Sequence, residues 1–364
     1  MISQWVRPRF LAVPTTLKNI LHNMETIKPL AGAKITRNGN ENQNALRISP
    51  KLLLSFFLII PILAGVVLVD LFWLDGWVQS SLPNTLIGEL FLIAVFLGTP
   101  HVVASFFSLA DKEYFNFYKK NIFIAIFLAI FIFIAAFLAP ALAAILSLIF
   151  SMYHILFQVE WISKSVLQNN DQRLRWWIWL LGGIFIFAYL LVFQNRIQIP
   201  DTFYKTIAVA PMVLIFLSLI LSFVITKNNR SPYGAAYLLC IVALASFGYL
   251  FPLMGYAYFT VILVRVVHDL NSYTLYVTHD FNRNQTELKN IFFALFKHLK
   301  IPPYAILILA SIAISYPLTQ AAFLFGHNSY IAQTAIISLY WAHFFLERII
   351  WHGNSLHRQY ITIK

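Results

Sequence analysis

Four histidines, His101, His154, His268 and His343, fall inside long apolar stretches of a 364-residue chain. An imidazole in hydrocarbon is costly to desolvate, so ionisable residues at such positions default to a functional role. Each lies about 14–16 residues beyond the expected start of its helix, a descent of roughly 21–24 Å at ~1.5 Å per residue. The carriers are the second, fourth, eighth and tenth of ten expected helices, so they run in one direction and reach one depth. A single intramembrane histidine often serves only to hydrogen-bond two helices together. Four at one level predict a shared metal centre with all four imidazoles as ligands.

The neighbours of these histidines can support such a centre. Glu347 follows His343 by four residues and shares its helix face. Its carboxylate would bind the metal and serve catalysis, or fix the His343 tautomer; pairing with Arg348 or a loop cation is the alternative. Arg265 and Asp269 have the same spacing and can neutralise each other. The second ring nitrogens are expected to meet Ser105 from His101, Gln158 from His154, and Asn271 or Ser272 from His268. The remaining histidines are placed elsewhere: His22 in the amino-terminal tail, His298 on a surface helix and His327 in an outer loop. His279, His352 and His357 are expected at the membrane border, solvated, with a second metal or a lid as the alternative.

Four imidazoles with a carboxylate suit non-haem iron, although copper and zinc also accept imidazole. Structural zinc would favour thiolates, and the chain has one cysteine, Cys240, inside an apolar run. Haem held by two of the histidines is the alternative cofactor, in an electron-transfer or transport protein. Two stacked haems would need histidines at two depths. Gly98-Thr99-Pro100 could kink its helix as transporters do, or simply aim His101. An embedded structural or assembly protein would carry no metal. No Ser/His/Asp triad, phosphate-binding loop or dinucleotide fingerprint is present.

The elements that must position these residues are transmembrane helices. The chain is 60% hydrophobic and 11% charged, with a mean hydropathy of +0.73, the composition of a polytopic α-helical membrane protein. Long unbroken apolar runs exclude a β-barrel. The expected spans are 51–74, 85–109, 121–138, 140–163, 175–194, 204–226, 233–251, 253–278, 302–318 and 329–351. Residues 287–300 mix Ile291, Phe292, Leu295, Phe296 and Leu299 with lysines and read as an interfacial helix. Residues 1–48 form a basic cytoplasmic tail with no stretch apolar enough for a signal peptide, leaving 49–364 as the helical domain.

The net charge of +12 is an orientation signal and not one for nucleic acid. If every span crosses, 23 of the 26 lysines and arginines share the side of the two termini. Arg196 and Lys205 lie opposite, and Arg265 is intramembrane. The positive-inside rule then puts both termini in the cytoplasm, as expected for a multi-pass protein of the cell inner membrane. Its partners would be membrane lipids and a lipophilic small molecule that reaches the site through the bilayer.

Four short motifs, in this order, resemble those of the Brp/Blh family of membrane-bound carotenoid (beta-carotene) oxygenases. They are Gly98-Thr99-Pro100-His101, Tyr153-His154, Val267-His268, and Ala342-His343 followed by Glu347 and His352. The similarity runs from about residue 90 to 355. Ser105 stands where the family has an acidic residue, Val102 where it has glycine, and Ser272 where it has a second histidine. The resemblance implies an iron centre that activates O2 and splits a polyene into aldehydes, with His343 supplying the ligand absent at Ser272.

Overall fold

A computed structural model describes residues 45–81, 98–169, 171–192, 201–227, 231–285, 289–297, 299–326, 330–351 and 355–364. Residues 85–97 of the second expected span, most of the tail, and His22, His298, His327 and His352 lie outside the described residues. Ala45–Lys364 forms one compact unit. It is all helical: among the described residues, extended pairing is confined to isolated bridges between Ile48 and Ile363 and between Asp111 and Asn290.

The helices are α1 Pro50–Trp73, interrupted by a 3-10 turn at Phe56–Leu58; α2 Thr99–Ser108; α3 Lys112–Leu138; α4 Pro140–Leu167; α5 Arg173–Val192; and α6 Asp201–Thr226. They continue as α7 Pro232–Leu253, α8 Ala257–Arg283, the short α9 Ile291–Lys297, α10 Pro303–Gly326 and α11 Tyr330–Ile350. Local chemistry sets the boundaries. Asp111 caps α3 by accepting from the Glu113 amide, and Ser231 caps α7 through the Gly234 amide. Pro140 opens α4 one residue after α3 ends, because its ring suits a first helical turn and its missing N–H costs nothing there.

Among the described residues, five helices are long and apolar enough to cross a membrane: Pro50–Trp73, Lys112–Leu138, Arg173–Val192, Ile207–Thr226 and Pro232–Leu253. The histidine-bearing α8 is not among these five. The reason is plain in α8, whose buried face carries His268, Asp269, Asn271, Ser272, His279, Asp280 and Arg283. A buried polar cluster on α8 thus sits within a largely apolar core, and apolar side chains also face outward. Phe127 of α3 and Phe223 of α6 are 70% and 69% exposed, whereas Asp269 and Ser272 are fully enclosed.

Two expectations for α8 are corrected. It starts at Ala257 rather than 253, because Gly255 sits at φ +87° in the turn after Pro252. A Cβ on Gly255 would fall 1.9 Å from Gln79 Nε2 and displace that amide, and the positive φ strains any side chain there. Asp70 ties the same region by accepting from the Val78 and Gln79 amides and from the Tyr256 hydroxyl. The helix also continues past 278 to Arg283, which buries His279. The interfacial segment contracts to α9, whose start is held by Asn290 donating to the Phe107 carbonyl.

A carboxyl-terminal strap, 355–364, closes one end. Asn282 donates to the Leu46 and Tyr360 carbonyls, and Arg283 donates to the Tyr360 hydroxyl. His357 was expected in solvent but is completely buried. It stacks on His279 at 4.4 Å and 19° and faces Tyr114, Tyr118, Trp351 and the guanidinium of Arg283. Burial, then the neighbouring His279 ring and Arg283 guanidinium, push its pKa well below the usual imidazole value. The docked strap thus holds His357 neutral, whereas a released one would titrate near ~6.5. Docking is unaffected above that pH and weakens as pH falls below it. Amide exchange of 355–364, corrected for intrinsic rates, should accelerate below about pH 6; equal protection at low and neutral pH would refute this.

Candidate metal centre

The four histidines predicted from depth alone meet at one point. They come from α2 (His101), α4 (His154), α8 (His268) and α11 (His343), and all are at most 5% exposed. Ring centroids lie 4.5 Å apart for His101 and His343, 4.9 Å for His101 and His268, 4.9 Å for His154 and His268, and 5.1 Å for His154 and His343. Glu347 enters from α11, one turn after His343. His101, His154, His343 and Glu347 each offer a ligand atom within 4.8 Å of the others, and His101, His268 and Asp269 do likewise.

Hydrogen bonds around the rim decide where the protons are. Ser105 Oγ donates to the Val102 carbonyl at 2.6 Å, which uses its only hydrogen. It must therefore accept from His343 Nδ1 at 2.8 Å. That leaves a lone pair on His343 Nε2, fully buried and without a partner. His268 Nδ1 donates to Gln158 Oε1 at 2.8 Å, while the Gln158 amide nitrogen donates to Ser272. His268 Nε2 then also bears a lone pair, 3.2 Å from His154 Nε2. His101 Nδ1 donates to Asp269 Oδ1 at 2.9 Å, yet its Nε2 lies 2.9 Å from Glu347 Oε1. Two acceptors cannot face each other bare, so a second proton or a cation stands between them. Glu347 Oε1 also accepts from the Tyr276 hydroxyl at 2.7 Å, and Oε2 lies 3.1 Å from His154 Nε2.

Several expected partners change. Ser105 serves His343 rather than His101, and Gln158 serves His268 rather than His154. Asp269 takes the His101 nitrogen. Each exchange has one cause: a polar group one turn along its own helix points beside its neighbour, and the ring opposite it across the interface is nearer. Glu347 does not pair with Arg348, whose guanidinium lies over the Tyr153 ring at 5.2 Å. Arg265 and Asp269 do pair, Nε to Oδ2 at 3.2 Å. This guanidinium already balances Asp269, so the proton or cation beside His101 Nε2 stands on the Glu347 side. Cys240 is on α7 and outside the cluster. Tyr276 was missed from sequence; its signal was its place seven residues after Asp269, on the same helix face.

No family model, curated protein or solved structure matches this chain.

Gly98 controls the approach of Arg265. A Cβ there would stand 1.8 Å from Arg265 Nη2, so Gly98→Ala must expel the guanidinium and loosen the Asp269–His101 contact. The expected cost is about 1–3 kcal/mol, typical of overpacking, read as a lower thermal midpoint in detergent. In an Arg265→Leu background the same alanine should cost little, a coupling visible in a double-mutant cycle. Equal penalties in both backgrounds would show that Arg265 is not what the alanine displaces.

Proposed function

We propose that this chain is a membrane-embedded non-haem iron oxygenase acting with O2 on a lipophilic substrate. The observation that carries the reading is the convergence of buried imidazole lone pairs and one carboxylate on a single point. His343 Nε2 has no other partner, and His101 Nε2 faces Glu347 with no proton required by its own Asp269 contact. Such a set of nitrogen and oxygen donors, without thiolate, fits iron. His101, His154, His268, His343 and Glu347 would hold it. Bound there, iron would supply the activation of O2.

The protein's own residues have separable tasks. Asp269, Gln158 and Ser105 fix the tautomers of His101, His268 and His343, as outer partners of metal ligands do. Tyr276 donates to Glu347 and holds one carboxylate oxygen in place. Arg265 pairs with Asp269 Oδ2 and leaves Oδ1 to accept from His101 Nδ1, so that His101 presents Nε2 to the centre. The apolar exterior delivers a lipid-soluble substrate, and the motif resemblance to the Brp/Blh family favours a polyene. Haem is the weaker cofactor: imidazole centroids 4.5–6.2 Å apart leave no slot for a porphyrin plate between them.

In this proposal the chain crosses ten times with both termini in the cytoplasm, as a multi-pass protein of the cell inner membrane. The lysine and arginine asymmetry supports it. A reporter fused after Lys364 should report the cytoplasmic side; a periplasmic signal would overturn the topology.

Protein purified in detergent should contain about one iron per chain and show no Soret band, in line with a single multi-histidine site. His343→Ala and His101→Ala should each lose most of that iron, while Cys240→Ser keeps it. The loaded protein should consume O2 when given a carotenoid-type polyene. Iron retained in both histidine variants, or none in the parent after reconstitution with iron(II), would end this reading.

A further inference from the structure

A second buried polar cluster lies beyond the first on α8. Asp280 Oδ1 accepts from His279 Nδ1 at 2.6 Å. With that nitrogen protonated, His279 Nε2 accepts from the Tyr114 hydroxyl at 3.0 Å. Asp280, His279 and Tyr114 are each about 1% exposed, so water does not compete for the phenolic proton. On the other face of His279 lies His357. Its Nε2 donates to Ser108 at 3.2 Å, because Ser108 spends its own hydrogen on the Ser105 carbonyl. Together these contacts give Tyr114 a built-in proton acceptor, and they give that acceptor a carboxylate to steady its charged form.

Aromatic rings connect this cluster in two directions. Toward the metal centre, His279 lies 6.5 Å from Trp351, Trp351 is 5.1 Å from Tyr276, and Tyr276 is 6.3 Å from His101. Toward the surface, His279 meets the half-buried Tyr360 at 5.7 Å. The Trp351 side chain is buried between these rings, 2% exposed.

We propose that Tyr114 is a redox-active tyrosine. It gives one electron to a one-electron oxidant of the ruthenium(III) polypyridyl class and, in the same step, its hydroxyl proton to His279 Nε2. The products are a neutral tyrosyl radical, a reduced oxidant and an imidazolium whose Nδ1–H stays on Asp280. Reduction returns both the electron and the proton. His279 is the positioning base, and Tyr360, Trp351 and Tyr276 are the rings along which the electron moves. That this route ends at a metal rests on the function proposed above; the oxidation of Tyr114 does not.

The test uses the full-length chain with Cys240→Ser and Gln359→Cys, the latter exposed and next to Tyr360. A ruthenium polypyridyl complex is attached at the new cysteine, and a ring-fluorinated tyrosine replaces Tyr114. After a laser flash with a sacrificial electron acceptor, the frozen sample should show a tyrosyl radical with fluorine hyperfine splitting. A radical without that splitting overturns the proposal. His279→Gln keeps a hydrogen-bonding group but loses the base, and should slow radical formation about a hundredfold, the usual worth of a positioned base; an unchanged rate also overturns it. Elemental analysis of the same preparation separates the two readings. A fluorine-marked radical in protein that cannot bind iron upholds Tyr114 and removes the metal centre, and iron-replete protein without the radical does the reverse.

Discussion

One chain of buried charge organises this bundle: Arg265 to Asp269 to His101 to Glu347 to Tyr276. Each link is 2.7–3.2 Å long. An isolated carboxylate in such surroundings would cost far more than a folded domain can tolerate, so no member can be present alone. Asp269 is compensated by Arg265 on its own helix, and Glu347 by groups from α2, α4 and α8. The compensation is thus partly local and partly across interfaces. The across-interface part fixes which helices must be neighbours. α2, α4, α8 and α11 are held around one point because their polar groups pair with one another there.

The inward polar stripe of α8 follows from this requirement. In water an amphipathic helix turns its apolar stripe inward. Here α8 turns its polar stripe inward, and the outer helices offer phenylalanine and isoleucine to the surroundings. Helices surrounded by lipid gain little from burying apolar surface against one another, so packing and hydrogen bonds must hold them. Small residues permit the close contacts. Gly98 admits the Arg265 guanidinium, and Gly234 lies where a Cβ would meet Leu167 at 2.7 Å.

Much of this was legible in the sequence, at the level where periodicity operates. Helix windows followed from apolar runs, and the meeting of four histidines followed from their equal depth, although α8 in fact starts four residues later than the apolar run suggests. Depth survives such an error because the helix axis and not its first residue sets the level. Pairing across interfaces was not legible. Ser105 and Gln158 were assigned to rings on their own helices, since spacing along one helix says nothing about the facing side chain on another. The burial of His279 and His357 was missed for a different reason. Hydropathy ends near residue 278, and polar residues beyond it were read as solvated. The overlooked signal is the spacing of Arg265, His268, Asp269, Ser272, Tyr276, His279, Asp280 and Arg283, which keeps one face of α8 polar to its last turn.

That continuous polar face makes α8 the element that joins the two clusters. A single rigid helix carries His268 and Asp269 at one level and His279 and Asp280 about three turns on, since eleven residues are close to three turns of ~3.6. Trp351, at the end of α11, fills the space between the levels and touches Tyr276 above and His279 and His357 below. The strap that seats His357 therefore bears on the same tryptophan that bears on Tyr276, and Tyr276 holds Glu347. Release of the strap would remove His357 from one side of Trp351 and leave Tyr276 supported by fewer contacts. The carboxyl-terminal residues are by this geometry part of the wall behind Glu347, although none of them reaches the histidine cluster itself.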